Sequence, residues 1–192
     1  QYNDINKIIF RSKKITKSSD DFILFNSGNV ITSDKRGNII IFSVNQKKII
    51  SKFNFYKKKY KNVDKTLNLT IENDVIYVTD NIGYLYAYDF KNEKILWAKN
   101  YLIPFRSNIK IFKNKIIAAN QNNTLYFFNK ENGDILRFIP TEETSLKNKF
   151  INNISVDENF TLFLNTYGSL YAINNETLRI NWFLNLNRSL NL

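Results

Sequence analysis

The stretch that decides the fold reads GYLYAYDFKNEKILW, from Gly83 to Trp97. A second copy, GSLYAINNETLRINW, runs from Gly168 to Trp182 and repeats the glycine, leucine, tyrosine, alanine, isoleucine and tryptophan at the same offsets. Two weaker copies begin at Gly37 and Asn123. Because successive copies begin 46, 40 and 45 residues apart, the chain is an array of repeats whose period suits supersecondary units and not coiled coils.

Each repeat has the residue pattern of four short strands. β-branched and aromatic residues form short runs separated by Asn, Asp, Gly and Lys, and helical spacing is scarce. In the second repeat this pattern predicts strands over 67–72, 75–79, 84–89 and 94–99. Four strands in a repeat of about 45 residues are typical of a β-propeller blade. We therefore predict an all-β fold with about four blades of four antiparallel strands, forming an arc of a larger, seven- or eight-bladed propeller.

The blades account for residues 20–192, with a short segment before them. We place the four blades at about 20–60, 66–103, 107–140 and 150–185. Residues 1–19 are too short for a blade and are predicted to form an N-terminal strand of another blade, or an arm. Residues 185–192 have the pattern of a connector into a further blade. Because the chain contains no methionine, we expect it to be a piece of a longer product.

A polar residue stands three positions before the start of each repeat motif. These residues, with the glycines that follow them, are Asp34 and Gly37, Asp80 and Gly83, Asn120, and Asn165 and Gly168. A carboxylate or amide at the first position of a tight turn accepts hydrogen bonds from the backbone two residues on, and glycine suits the last position. We interpret all seven as structural turn residues and not as metal ligands.

The net charge of +11 raises nucleic acid or an anionic membrane as a partner. Lys, Asn and Ile are over-used along the whole chain, however, so the charge looks spread out, and we predict no nucleic-acid partner. The densest basic segment, residues 57–61, contains four lysines next to Tyr56 and around Tyr60. We interpret it as a solvated loop between blades; contact with phosphate or lipid headgroups is the alternative.

Residues for catalysis are scarce. The chain has no His and no Cys, which excludes Ser–His, Cys–His and thiolate or imidazole metal sites within it. Its carboxylates lie mostly in predicted turns, and the adjacent Glu142 and Glu143 would point to opposite sides of an extended chain. We read that pair as a surface loop. The sequence thus predicts no catalytic, cofactor-binding or metal-binding residue and no evident small-molecule substrate.

The tail of each repeat resembles the quinoprotein-like, or pyrroloquinoline-quinone-type, propeller repeat, whose consensus is Ala-x-Asp-x-x-Thr-Gly-x-x-x-Trp. The second repeat matches at Ala87, Asp89 and Trp97, with Asn92 and Glu93 in place of Thr-Gly. The fourth offers Ala172, Asn174, Thr177 and Trp182, with Leu178 replacing the glycine. The third keeps only Asn129 and Gly133, with Phe127 and Arg137 at the Ala and Trp positions. The first repeat keeps little but the spacing. The resemblance implies that Ala87, Trp97, Ala172 and Trp182 staple neighbouring blades together and that both tryptophans are core residues.

The family that this repeat resembles contains quinone-dependent dehydrogenases and non-catalytic scaffolds of the BamB type, which belong to the machinery that assembles outer-membrane β-barrels. The dehydrogenases use a calcium ion, a catalytic Asp and often a vicinal Cys pair, and this chain has no cysteine. The resemblance therefore implies a non-enzymatic periplasmic scaffold without a cofactor. Such a scaffold would bind protein partners and be held at the outer membrane by an anchor, as in a lipoprotein, outside this chain. The alternative is a segment of a quinone-dependent dehydrogenase whose active site lies outside this chain.

Overall fold

A computed structural model describes residues 23–56, 58–143 and 151–186. In these ranges sixteen strands form four sheets, each of four antiparallel strands in sequence order. The chain divides into two compact units, residues 1–67 and 68–192. The predicted all-β class and the four-stranded antiparallel blade are confirmed, whereas the total number of blades stays a prediction. The predicted strand or arm at residues 1–19 and most of the predicted connector at residues 185–192 lie outside the described residues.

The first unit contains one complete sheet. Its strands are β1 (Ile23–Asn26), β2 (Asn29–Ser33), β3 (Asn38–Ser43) and β4 (Lys48–Asn54). A short 3-10 helix, Lys58–Tyr60, follows β4. The buried side chains of this sheet are mainly β-branched, and Ile31, Ile39 and Ile41 are almost wholly enclosed.

The second unit contains the other three sheets, except that Leu67 at the start of β5 belongs to the first unit. The second sheet consists of β5 (Leu67–Glu72), β6 (Val75–Asp80), β7 (Tyr84–Asp89) and β8 (Lys94–Asn100). The third consists of β9 (Lys110–Phe112), β10 (Lys115–Ala119), β11 (Thr124–Asn129) and β12 (Ile135–Pro140). The fourth consists of β13 (Asn153–Val156), β14 (Phe160–Leu164), β15 (Ser169–Asn174) and β16 (Ile180–Asn185).

The third sheet is packed on both faces. Because successive side chains of a strand point to opposite faces, Ile116 and Ala118 pack with Phe128 in a core shared with the second sheet. Ile117 and Ala119 pack in a core shared with the fourth sheet. The second and third strands of this blade therefore need apolar residues at nearly every position, which explains their continuous hydrophobic runs.

Every blade has an irregularity at the same place. The register between the third and fourth strands shifts after Ile41, Ala87, Phe127 and Ala172. Each of these residues lies four positions after the start of its repeat motif, so the repeat specifies a β-bulge as well as a turn. Across the described ranges, no helix is long and apolar enough to span a membrane.

Candidate interaction surfaces

The four predicted turn residues bond their own turns in the same way. The Oδ1 atom of each accepts two backbone N–H groups, two and four residues along the chain. The distances are 3.0 and 3.0 Å at Asp34, 2.8 and 2.8 Å at Asp80, 2.9 and 3.1 Å at Asn120, and 3.1 and 2.9 Å at Asn165. These acceptor atoms are thus occupied by backbone donors, and they lie on four separate turns.

The last position of these turns has a left-handed backbone in all four repeats. The φ angles are 81° at Gly37, 98° at Gly83, 60° at Asn123 and 93° at Gly168. The N–H of each residue donates to the carbonyl three residues earlier, as in a tight β-turn. Asparagine tolerates this conformation better than other residues with a side chain, so the third repeat keeps the turn without a glycine.

Trp97 links the second sheet to the third. Its indole N–H donates to the carbonyl oxygen of Lys130 at 3.1 Å, in the turn between β11 and β12. A Cβ placed on Gly133 would lie 2.6 Å from Cζ3 of Trp97, so the indole packs directly on the glycine. Trp97 is half-buried at the edge of the shared core, and Ala87 is its partner on the neighbouring strand of its own sheet.

Three further contacts hold the same turn. The Tyr101 hydroxyl donates to the Gly133 carbonyl, and burial, with Asp134 and Tyr126 nearby, raises the pKa of Tyr101 to about 12. Lys99 pairs with Asp134 at 2.7 Å, and Lys130 pairs with Glu72 at 2.5 Å. The second sheet and the residue that follows it, Tyr101, thus hold the turn through an aromatic ring, hydrogen bonds and ion pairs.

The position of Gly133 has a left-handed backbone in every repeat, although only the third has glycine there. The φ angles are 54° at Lys47, 51° at Glu93, 78° at Gly133 and 54° at Leu178. A non-glycine residue in this conformation is strained by about 1–2 kcal/mol. The repeats that lack glycine at this position therefore keep the same left-handed backbone in the turn.

The junction between the third and fourth sheets lacks the tryptophan. Arg137 occupies that position on β12 and is exposed, opposite the buried Phe127. A cavity of about 280 Å³ lies between β12 and the turn before β16, lined by Arg137, Leu178 and their neighbours. Leu178 itself packs against the core between the two sheets. At this junction Leu178 fills part of the space that corresponds to the position of the Trp97 indole between the second and third sheets.

Trp182 is not a core residue. It lies on β16 opposite Ala172, which is buried, yet 45% of the tryptophan is exposed. Trp97 is covered by a turn of the following sheet, whereas in the described part of the chain no following sheet lies against Trp182. The predicted burial of Trp182 is therefore wrong for these residues. Trp97, at the edge of its core, is half-buried and not a core residue either.

Glu142 joins the third sheet to the fourth. Its carboxylate accepts the Tyr171 hydroxyl at 2.5 Å, the Ser169 hydroxyl at 3.1 Å and the Asn165 amide at 3.0 Å. Its carbonyl accepts the Asn123 amide at 2.7 Å. Glu142 and Glu143, interpreted from the sequence as a surface loop, lie outside the strands, with Glu143 exposed. The chain after β12 lays the partly buried Glu142 against the turn between β14 and β15.

Ionisation in this cluster stabilises the contact. Burial by itself would raise the pKa of Glu142, but the hydrogen bonds from Tyr171, Ser169 and Asn165 bring it below its ordinary range. Burial and the neighbouring carboxylate raise the pKa of Tyr171. Near neutral pH the ionised Glu142 therefore accepts a hydrogen bond from the Tyr171 hydroxyl, which stays protonated. This arrangement suits a structural lock, since neither group is poised to exchange a proton near pH 7.

Most of the large apolar side chains that are exposed lie on the fourth strand of a sheet. They are Ile49 and Ile50 on β4, Leu96 on β8, Ile135, Leu136 and Phe138 on β12, and Ile180, Trp182, Phe183 and Leu184 on β16. Each of these strands is an edge of its sheet, where backbone groups can pair with another chain. In each described sheet, the fourth strand is thus an edge strand that exposes large apolar side chains.

Leu102 is a separate exposed apolar residue. It is 82% exposed and has a φ of 64°. Its N–H donates to Oδ1 of Asn100 at 2.8 Å, which fixes the loop after β8. A strained residue held out to solvent is a feature of binding loops. Among the described residues, no group of three or more His, Cys, Asp or Glu side chains lies close enough together to hold a metal ion.

Known structures share this fold. No protein-family profile and no curated protein sequence matches the chain. The crystal structure of BamB from Moraxella catarrhalis is similar with a TM-score of 0.69 and 15% identity, over 84% of this chain and 47% of BamB. The computationally designed Ika8 protein is similar with a TM-score of 0.68 and 10% identity, over 82% of this chain and 46% of Ika8. The designed Ika4 protein is similar with a TM-score of 0.64 and 9% identity, over 85% of this chain and 99% of Ika4.

The chain thus spans about half the length of BamB and of Ika8. At identities of 9–15% these likenesses establish the fold, which is that of β-propeller blades. They leave the quinoprotein character of the repeat as an interpretation of the sequence.

Proposed function

We propose that this chain is part of a non-catalytic scaffold that binds partner proteins. The observation that carries the proposal is that each sheet exposes apolar side chains on its fourth strand, with Phe138 55% and Phe183 61% exposed. Exposed apolar surface of this kind marks interaction sites. An edge strand can also add a strand from a partner by β-augmentation, in which main-chain hydrogen bonds give affinity and side chains give specificity.

The partner that we propose is the machinery that assembles β-barrel proteins in the outer membrane. Two observations support it: the repeat pattern resembles that of BamB-type scaffolds, and the fold is similar to BamB from Moraxella catarrhalis. The protein would then work in the periplasm, at the outer membrane. Because the chain spans about half of BamB, the proposal concerns the part of such a scaffold that these blades form.

Site-specific photo-crosslinking in cells that produce the protein tests the proposal. A photoreactive residue at Phe138, Phe183 or Leu102 should give adducts that mass spectrometry identifies as components of the β-barrel assembly machinery. Lys91 is the control, because it is an exposed, charged residue in the turn between β7 and β8, outside the fourth strands. If only other proteins are captured, or if position 91 gives the same adducts, the proposal fails.

The non-catalytic part of the proposal needs its own test. The protein is mixed with calcium and pyrroloquinoline quinone, and reduction of an electron-accepting dye is followed with alcohol or sugar substrates. We expect no reduction above that of the quinone alone, because the chain has no cysteine pair and its described residues contain no acidic cluster that could hold calcium. Saturable, quinone-dependent dye reduction would instead show a dehydrogenase.

A further inference from the structure

A basic cavity of about 570 Å³ lies in the first unit, between the end of β4 and the connection that follows it. Of the nine lining residues that the structure describes, five are cationic: Arg36, Lys52, Lys58, Lys61 and Lys65. None of the nine is a carboxylate. The other four are Tyr56 and three asparagines, so each described lining residue has a polar side chain.

No carboxylate of the described residues pairs with the cations of this cavity. Within the described ranges, none of the five cations lies within 4.0 Å of a carboxylate. The acidic residues that the structure describes in the first unit are Asp34 and Asp64, and both have other contacts. Asp34 accepts the amide of Asn38 with both oxygens, at 2.9 and 2.7 Å, and Asp64 lies 4.0 Å from Lys35.

One of the five cations is buried. Lys65 is only 3% exposed. Its ammonium group donates to the backbone carbonyl of Tyr60 and lies 5.4 Å from the centroid of the Tyr56 ring. A buried charge without an ionic partner is costly, and a bound anion would offset that cost.

The walls of the cavity are fixed by packing. A Cβ on Gly37 would lie 2.4 Å from Cε2 of Tyr56, so the ring packs on that glycine. The Asn54 amide donates to the Arg36 carbonyl at 3.1 Å and to Oδ1 of Asn38 at 3.0 Å. The site therefore has its shape before a ligand arrives, which reduces the entropic cost of binding.

We propose that this cavity binds an anion that carries phosphate groups. Five positive charges in one cavity favour a ligand with several negative charges, and a phosphate group carries up to about two near pH 7. Arginine and lysine side chains are the usual partners of phosphate oxygens. The volume falls in the usual range of small-molecule pockets, roughly 300–1,000 Å³, so the ligand is a small phosphorylated molecule or the headgroup of a phospholipid.

Calorimetric titration of the full chain with pyrophosphate tests the proposal, with acetate as a singly charged comparison. The test variant is Lys52→Gln/Lys61→Gln, in which both side chains are exposed and not needed for packing. The matched control is Lys47→Gln/Lys48→Gln, which removes the same charge from the same unit at the other end of β4. Far-ultraviolet circular dichroism checks that both variants fold.

We expect saturable binding of pyrophosphate, no saturable binding of acetate, and affinity about tenfold or more weaker in the test variant, because each charge-assisted contact contributes strongly. The affinity of the control variant for pyrophosphate should stay within about twofold of that of the original protein, since remote charges on the surface are screened by salt. Equal losses in both variants would show that the net charge alone attracts the anion, and would overturn the proposal.

A second arm distinguishes the two sources of phosphate. Vesicles of phosphatidylcholine alone are compared with vesicles that also contain phosphatidylglycerol, in a co-sedimentation assay. Binding to the anionic vesicles that the test variant loses and the control keeps assigns the cavity to a lipid headgroup. Binding to pyrophosphate without binding to vesicles assigns it to a soluble ligand. If neither probe binds, or neither responds to the test variant, the proposal is wrong.

Discussion

The junction between the second and third sheets and the junction between the third and fourth are built from the same repeat positions with different residues. At the first, Trp97 packs on Gly133 and donates to the turn that contains it. At the second, Arg137 is exposed, Leu178 fills part of the gap, and a cavity of about 280 Å³ remains. The comparison shows that the backbone of this repeat tolerates two different packing solutions.

The second junction compensates with polar contacts. Glu142 binds Tyr171, Ser169 and Asn165 of the following sheet. In addition, the Asn108 amide donates to the Ile154 carbonyl at 2.8 Å, and the Ile154 N–H donates back to Asn108 at 2.8 Å. One junction thus depends mainly on an aromatic ring, and the other on a carboxylate and an amide.

The largest expected effect is at the tryptophan. Trp97→Ala should lower the free energy of unfolding by about 3 kcal/mol, because it removes a packed indole and leaves the Lys130 carbonyl without its donor. Chemical denaturation followed by circular dichroism measures the change. Trp182→Ala is the matched control and should cost about 0.5 kcal/mol, as expected of a substitution at an exposed site. Similar losses for the two variants would mean that the two tryptophans have equivalent surroundings.

The next effect is at the glycine beneath the indole. Gly133→Ala should cost about 2 kcal/mol, since the new Cβ meets the Trp97 ring and the backbone is left-handed. Glu93→Ala changes the same turn position in the preceding sheet, where a side chain is already present, and should stay within about 0.5 kcal/mol. Thermal unfolding of both variants makes the measurement. If Gly133→Ala left the stability unchanged, the packing of the Trp97 indole on this glycine would not contribute to stability.

The third prediction concerns a variant that places the tryptophan–glycine pair of the first junction at the equivalent positions of the second. Arg137→Trp alone should gain little, because Leu178 occupies the space, and Leu178→Gly alone should be destabilising through lost packing. The double variant should be more stable than the sum of the single changes by about 1 kcal/mol, since the indole can then pack on the glycine. A double-mutant cycle measured by denaturation gives this coupling directly. Strict additivity would mean that the two positions do not meet.

The smallest effect depends on pH and should be confined to the second junction. Glu142→Gln should cost about 1 kcal/mol at neutral pH, because hydrogen bonds to a charged group are stronger than those to a neutral one. The folded-state pKa of Glu142 is lowered, so its contribution is complete above the unfolded pKa, about 4.3, and is lost as pH falls through the folded pKa.

Unfolding curves of the original protein and the Glu142→Gln variant, taken from neutral pH downwards, check this. The two curves should converge as the pH falls through the folded-state pKa of Glu142, which lies below its ordinary value. Glu143→Gln is the control, since Glu143 is exposed. A difference that persists unchanged into acid would show that the charge of Glu142 is not what stabilises the contact.

Much of the blade could be predicted from the sequence. The four strands of the second repeat lie within one residue of their predicted ends, because alternation and turn residues act between near neighbours. The four sheets lie within the predicted repeats. The first strand of the third blade is shorter, since β9 covers only Lys110–Phe112, and Asn108 before it bonds Ile154 in the next sheet.

The candidate sites were less accessible to prediction. The lysines of residues 57–61 read as a solvated loop, and nothing in their spacing indicates that Arg36, Lys52 and Lys65 join Lys58 and Lys61 around one cavity. Glu142 gives no signal either, because its partners lie 23–29 residues further along the chain. Contacts of this kind depend on how sheets pack, and periodicity does not encode them.

The repeat that includes Gly83 to Trp97, with the residues before it, by itself predicted the strands and the tight turn of the blade. These features depend on backbone preferences and hydrogen bonds within a few residues, which hold wherever the repeat occurs. Only the tertiary structure decided what its tryptophan does. Trp97 is covered by the turn of the next sheet and Trp182 is 45% exposed, because burial is a property of the neighbour and not of the residue.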